Sequence, residues 1–348
     1  MSTPLKSLAT SRKAALEQWG IRGLALGISI GGAANTGEWQ RALEWVERAE
    51  GGQLHSVWMP EMHFLPGAST SPLLCLSALA ARTRRIRLAT TSLLLPIHPP
   101  LRIAEEATSL DHLSGGRLIL GLGRGFRAPL FSAFGIDPAT KRDRFDAALD
   151  LMLQAWRGES VSLRDSLFHV DEHPEEVTLP RPLQRPHPPL AVAAFGPKGL
   201  EQAGRRRLPY LASPIETFEQ IRENLGLHRR VCPEGDERVH PVIPIMRSVF
   251  VSDDNSAITR VVEGLGGEVR SAVSGRLPTA IARAVAAPPE QRIIVGGVSE
   301  VTDRLAEYRE ILGMNLLVVR PQLAGASDSE RVESFDLLVN EILPALRP

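Results

Sequence analysis

Residues 56–82 read SVWMPEMHF, LPGAST, SPLLCLSALAAR, which is a strand, a corner and a helix in succession. Ser56–Met59 is a short apolar run of β type, and Leu65–Ser71 has the proline, glycine and serine content of a loop. Ser71 suits an N-cap and Pro72 the first helical position, so a helix is expected over Ser71–Arg82. Between strand and loop stands Glu61-Met62-His63-Phe64. In open or barrel α/β sheets the chemistry lies at the carboxyl ends of the strands, which makes Glu61 and His63 candidate catalytic residues. Two plainer readings stand beside this one. His63 could be a packing histidine, and Glu61 the buried partner of a nearby arginine.

The same alternation continues on both sides. Further strands are expected over Gly23–Ile30, Ile86–Leu95, Leu118–Gly123, Leu190–Ala194, Tyr210–Ala212, Val242–Val251 and Leu316–Val319. Amphipathic runs separate them: Glu38–Glu50, Pro99–Leu113 with Gly115-Gly116 as its left-handed stop, Lys141–Trp156, and a helix reaching about Arg206. Ser213-Pro214-Ile215-Glu216 has the form of a capping box. Helices are also expected over Asn255–Val285, Ser299–Leu312 and Glu330–Leu346. Eight apolar strands alternating with helices argue for parallel pairing, and eight units favour an α/β fold closed as a (β/α)8 TIM barrel. The expected organisation is an N-terminal extension over 1–20 and a single barrel domain over 21–348. Insertions are expected after strands four and seven, at about 158–189 and 252–298.

Forty basic and forty acidic residues cancel in a chain of 348, so no global field draws nucleic acid or an anionic membrane. No apolar run reaches spanning length, and two cysteines, Cys75 and Cys232, make neither a disulfide framework nor a metal knuckle. A cytoplasmic protein fits. His169-Val-Asp-Glu-His173 has the residue types of a metal cluster but lacks a matching third-ligand motif, so it reads as a solvated edge with no metal.

Two glycine-rich corners follow strands. Gly121-Leu-Gly-Arg-Gly125 fails as a dinucleotide fingerprint because Phe126 stands where glycine is required. What remains is a strand end with glycines around Arg124, either a phosphate clamp or a tight turn with a solvated arginine. Phe195-Gly-Pro-Lys-Gly199 opens a helix after a strand. Its free N–H groups and Lys198 suit an anion, and a plain loop is the alternative.

Taken together, these residues resemble the bacterial luciferase-like flavin-dependent monooxygenase superfamily. The likeness is carried by Trp58–Phe64 and by Ser71–Leu95 with Ala78-Leu-Ala-Ala-Arg-Thr-Arg-Arg-Ile-Arg87. It continues in Pro96–Gly125, with Ala104-Glu-Glu106 and Leu110-Asp-His-Leu-Ser-Gly-Gly-Arg117, and in Phe134-Gly135. The resemblance implies a flavin-dependent oxidoreductase, a monooxygenase using reduced FMN and O2 on a small or medium organic substrate. It also implies a homodimer and a separate flavin reductase. Position by position, Arg124 matches the arginine that grips the flavin phosphate, and Gly196 and Gly199 match a phosphate-binding loop, with Phe195 and Lys198 beside them. Thr91 and Ser92 match a strand bulge, often a non-prolyl cis peptide, under the isoalloxazine ring. Met62 and Phe64 would wall the cofactor or substrate pocket. Met62 stands where the superfamily pattern has its proton-transferring histidine, and methionine has no proton to transfer at neutral pH. Two alternatives accompany the main reading: an F420-dependent dehydrogenase or reductase, and a flavin-binding subunit without catalysis, which Met62 favours.

Overall fold

The computed structural model describes residues 12–33, 35–65, 67–159, 161, 167–168, 179–232, 240–272 and 277–346. Among these residues nine strands follow one another: β1 (Ala25–Ser29), β2 (Ser56–Met59), β3 (Arg87–Leu94), β4 (Leu118–Gly123), β5 (Leu190–Ala193), β6 (Tyr210–Leu211), β7 (Pro244–Val251), β8 (Ile293–Gly296) and β9 (Leu316–Val319). The chain divides into two compact units, residues 31–190 and residues 1–30 with 191–348.

In the 31–190 unit, β2, β3 and β4 pair in parallel, Trp58 opposite Ala89 and Ala89 opposite Ile119. The strands are buried on both faces, as near-continuous apolar runs require when helices cover a parallel sheet. The helices Thr36–Gly51, Pro72–Arg82, Pro100–Ser114 and Lys141–Arg157 alternate with them. Gly115 and Gly116 both take positive φ, at 68° and 79°, and end the third helix as their sequence implies. Ser71 occupies its N-cap position but makes no side-chain cap bond; Pro72 at the start of the helix does the setting. A short helix, Ala128–Ala133, was not expected. It is anchored by Leu130 and Phe131, which pack with Ile97, Leu94 and Ile136.

In the other unit, β9 lies between β1 and β7, β8 pairs with the second half of β7, and β5 pairs with β6, all in parallel. Three expectations change here. Residues 252–298 are not all inserted helix: they hold the helices Asn255–Ala272 and Thr279–Ala286 and then β8, whose Ile293–Gly296 lies opposite Ser248–Val251. The run Ile293-Ile-Val295 is too short and too bounded by charge and glycine to stand out by periodicity alone. Ser213–Glu216 does not begin a helix. Thr217 caps Phe218–Val231 in a capping box with Gln220, while Glu216 is turned inward. Within the expected extension, helix Arg12–Trp19 buries Trp19, whose ring meets His240 at 6.1 Å. A tryptophan of that size contributes to a core wherever its segment falls. The 169–173 histidine cluster and most of the hairpin expected over 161–170 lie outside the described residues.

Candidate active site

The corner after β2 is built around Glu61. Its backbone N–H points to Ser92 O at 3.4 Å, and its side chain is buried. Oε1 accepts from His63 Nε2 and from His98 Nε2, both at 2.8 Å, and Oε2 accepts from the Leu94 N–H at 2.6 Å. Burial pushes the carboxyl upward, but the hydrogen bond and charge of His98, the Leu94 amide and His63 together hold it below the ordinary glutamate range. Glu61 is therefore ionised and an acceptor only, so each imidazole presents Nε2–H to it. The reading of Glu61 as an arginine's partner is thus replaced. Its partners are two histidines and a main-chain amide. Among the described residues no group of three His, Cys, Asp or Glu side chains could hold a metal ion.

His98 was missed from sequence. It lies four residues past the end of β3, in Leu95-Pro-Ile-His-Pro99, and the strand-end rule that selected His63 applies equally to it. The pair meets because β2 and β3 are parallel neighbours, Met59 opposite Thr90, and β3 runs on to Leu94 past the end of β2.

Thr91–Ser92 is a cis non-prolyl peptide, and the β3–β4 register shifts between Thr91 and Leu93. The expected bulge is present. It needs glycine across the sheet: a Cβ on Gly123 would lie 2.0 Å from Ser92 Oγ and 2.8 Å from Ser92 Cβ. Around the same corner Met62 donates its N–H to Ser69 O at 2.7 Å, and Ser69 Oγ is buried with no hydrogen-bond partner among the described residues. Phe64 takes φ 58° and stands out from the surface. Its ring, that of His63 and that of Phe134 form a triangle with centroids 5.1–5.9 Å apart.

Beyond β4, Arg124 has burial and the nearby Arg142 lowering its basicity, offset by Asp146. Lys141 is lowered by burial, Arg124 and Arg142, and its ammonium lies 5.5 Å from the Phe131 ring centre. Arg124 and Lys141 thus stand near each other and near Arg142, with Asp146 as a counter-charge to Arg124. Lys141 and Arg142 open a helix, and only the fold brings them close to Arg124.

The remaining expected residues belong to the other unit. Gly196 is the N-cap of Pro197–Arg205, with Gly199 N–H on Gly196 O at 3.0 Å. Gly199 is buried, Lys198 exposed and Phe195 half-buried. A Cβ on Gly196 would meet only Ala280 Cβ, at 3.9 Å, so packing within this unit does not require glycine there. No helix among the described residues is long and apolar enough to cross a membrane.

With this geometry in place, comparison with known proteins is direct. The profile of the luciferase-like monooxygenase family matches residues 22–314. A 4-hydroxyprotoasukamycin monooxygenase of Streptomyces nodosus is 30% identical over 331 residues, covering 87% of this chain and 86% of that one. The oxygenase component of a flavin-dependent trigonelline monooxygenase of Acinetobacter baylyi is 24% identical over 324 residues, 87% and 88% of the two chains. A shorter match, 41% identical over 150 residues and 43% of each chain, joins it to an uncharacterised protein of Sinorhizobium fredii.

Among solved structures, the monooxygenase RslO1 of Streptomyces bottropensis superposes with a TM-score of 0.73 at 26% identity, covering 92% of this chain and 99% of that one. Two others share the fold. The oxygenating constituent of 3,6-diketocamphane monooxygenase from Pseudomonas putida, solved with FMN, has a TM-score of 0.71 at 18% identity, covering 92% and 98%. The F420-dependent tetrahydromethanopterin reductase of Methanopyrus kandleri has 0.66 at 19%, covering 93% and 100%. These likenesses carry the fold class, an α/β chain of the luciferase-like (β/α)8 barrel type. With the family profile covering most of its length, this chain belongs to the luciferase-like monooxygenase family.

Proposed function

We propose that this chain is the oxygenase half of a two-component monooxygenase, using reduced FMN and O2 to oxygenate a small or medium organic molecule. The observation that carries the reading is the Glu61 cluster. An ionised, buried carboxylate holds His63 by Nε2–H beside the Thr91–Ser92 bulge and so fixes the orientation of its ring. The chain's residues also fit a flavin phosphate. Arg124, Lys141 and Arg142 lie close together, with Asp146 near Arg124, and would supply positive charge to a phosphate. Arg124 would hold the phosphate. In the other unit, the loop at Gly196, Lys198 and Gly199, with Phe195 beside it, would offer amides and a charge of its own to an anion. Thr91 and Ser92 would support the ring; Met62 and Phe64 would shield it from water.

Reduced flavin bound there supplies the electrons that activate dioxygen. The protein's part is to orient substrate, exclude water and hold a proton at His63. The oxygenase-component relative supports a separate reductase as partner. A homodimer and a cytoplasmic location complete the reading.

A titration with FMN and with riboflavin tests the assignment. Arg124→Ala should weaken FMN at least tenfold and leave riboflavin unchanged. Equal affinity of wild type and variant for FMN would overturn the phosphate role. Met62, which lacks a transferable proton, favours the reading as a flavin binder without catalysis, and the shared fold of the reductase is the support for the F420 alternative. Turnover with reduced FMN that consumes O2 excludes it, together with the reading as a binder without catalysis.

A further inference from the structure

The turn that delivers His98 is tied down along its whole length. It is a single 3₁₀ turn, Leu95–Ile97, closed by the His98 N–H on Leu95 O at 3.3 Å. Glu61 grips it at both ends, accepting from the Leu94 N–H and from His98 Nε2. Between these ends the Pro96 carbonyl accepts from Arg144 Nε at 2.9 Å. The same guanidinium donates through Nη1 to Leu167 O, and its carbon lies 4.5 Å from the centre of the Phe168 ring. All of these residues belong to the 31–190 unit. Ile97 adds an apolar anchor beside Leu130 and Phe131. Apolar packing is non-directional, so the orientation of the turn is set by its hydrogen bonds.

For its own helix Arg144 is badly placed. It follows Lys141 and Arg142 at the start of Lys141–Arg157, where Asp143 is the acid of the first turn and Thr140 makes no side-chain cap bond. A helix start favours negative charge, so a further cation there serves something outside the helix. Arginine also suits that service as lysine does not: a planar fork sends two N–H groups to two carbonyls while its face covers an aromatic ring. His98 in turn meets Glu61 through a single 2.8 Å bond, and a shift of about 1 Å takes such a bond out of range. We propose that Arg144 is a positioning residue of the Glu61 cluster: through the Pro96 carbonyl it holds the turn where His98 donates Nε2–H to Glu61. The proposal deepens the function given above, and rests on it for the role of the corner.

Two variants of equal reach test it. Glutamine carries its amide nitrogen where arginine carries Nε, so Arg144→Gln keeps a donor for Pro96, while Arg144→Met keeps the length and offers none. Both lose the contacts to Leu167 and Phe168, so their difference reads the Pro96 bond alone. The measurement is 15N-histidine NMR of the full chain without flavin, above the ordinary histidine titration range, with His98 assigned through His98→Gln. Wild type should show His98 as the Nε2–H form. Arg144→Met should speed solvent exchange of that proton about tenfold or more, and Arg144→Gln should keep it within about threefold of wild type. The His63 Nε2–H should stay within about threefold in both. Phe168→Ala removes the ring but leaves Nε on Pro96, and should leave His98 unchanged even if Arg144→Met does not fold. Unchanged exchange in Arg144→Met, equal loss in both Arg144 variants, or loss in Phe168→Ala would overturn the proposal. Because no flavin enters the measurement, a chain that fails to bind FMN would sink the flavin reading and leave this result standing.

Discussion

Glu216 offers a sharp test of how a buried acid shapes the stability of this chain. Its carboxylate sits at the end of β6 with Oε1 accepting from Tyr210 Oη at 2.5 Å and Asn224 Nδ2 at 2.6 Å, and Oε2 accepting from Ser213 N–H at 2.7 Å. Burial raises its pKa from 4.5 to about 7, against the opposing pull of Tyr210, Ser213, Arg247 and Asn224. The folded state thus binds a proton that the unfolded chain has released. Between pH 4.5 and 7 that difference lowers stability as pH rises; below 4.5 both states hold the proton, and above 7 neither does. The interval, at about 1.4 kcal/mol per pH unit, amounts to about 3 kcal/mol. Other groups act in the opposite sense over part of this range. His187, His228 and His240 are all lowered, chiefly by burial, and favour the fold as pH rises. The measurement is therefore a difference: urea unfolding of wild type and Glu216→Gln from pH 4.5 to 8. The amide keeps acceptors for Tyr210 and Asn224 but sets its NH2 against the Ser213 N–H, a penalty of about 1–3 kcal/mol that does not vary with pH. The variant should be the less stable chain at pH 4.5 and should gain about 3 kcal/mol relative to wild type by pH 8. Profiles that stay parallel within about 0.5 kcal/mol would refute the reasoning.

Three further outcomes follow from the corner and its supports. Gly123→Ala should cost roughly 2–4 kcal/mol by overpacking against Ser92, and Ser92→Gly in the same chain should recover most of it in thermal unfolding; additive losses would show that the contact is not the cause. Glu61→Ala removes the acceptor of three donors, and its turnover should fall about 10²-fold or more if His63 handles the proton, with FMN affinity within threefold of wild type as the control. His98→Gln keeps an N–H donor for Glu61, so its rate should stay within about fivefold of wild type while His98→Leu falls about tenfold or more; equal rates for the two would remove His98 from the cluster's function.

Much of the fold was legible because the signals for it are local. The glycines after Pro100–Ser114 and the exact bounds of β4 depend on residues within one turn or one strand of each other. The failures share a cause as well. Glu216 has the spacing of a capping residue, and a proline beside it strengthens that pattern, yet Thr217 four residues before Ile221 competes for the same helix start and wins. β8 is four residues long, and its identity as a strand comes from the ladder offered by β7. Trp19 lies beyond the first strand's edge in sequence but not in packing.

Short-range patterning alone sets which chemical groups stand at the ends of the strands, and it places Glu61, His63 and Arg124 there. The sequence also places methionine at 62, and no fold can turn a thioether into a proton carrier. Tertiary structure alone decided the partners. Glu61 and His98 are 37 residues apart in the chain and share one oxygen only because β2 and β3 are parallel neighbours. Lys141 and Arg142 join Arg124 only because the helix they open returns to the end of β4. Charge, tautomer and exposure are properties of what surrounds a group, and those surroundings come from segments distant in sequence that only the folded chain brings together.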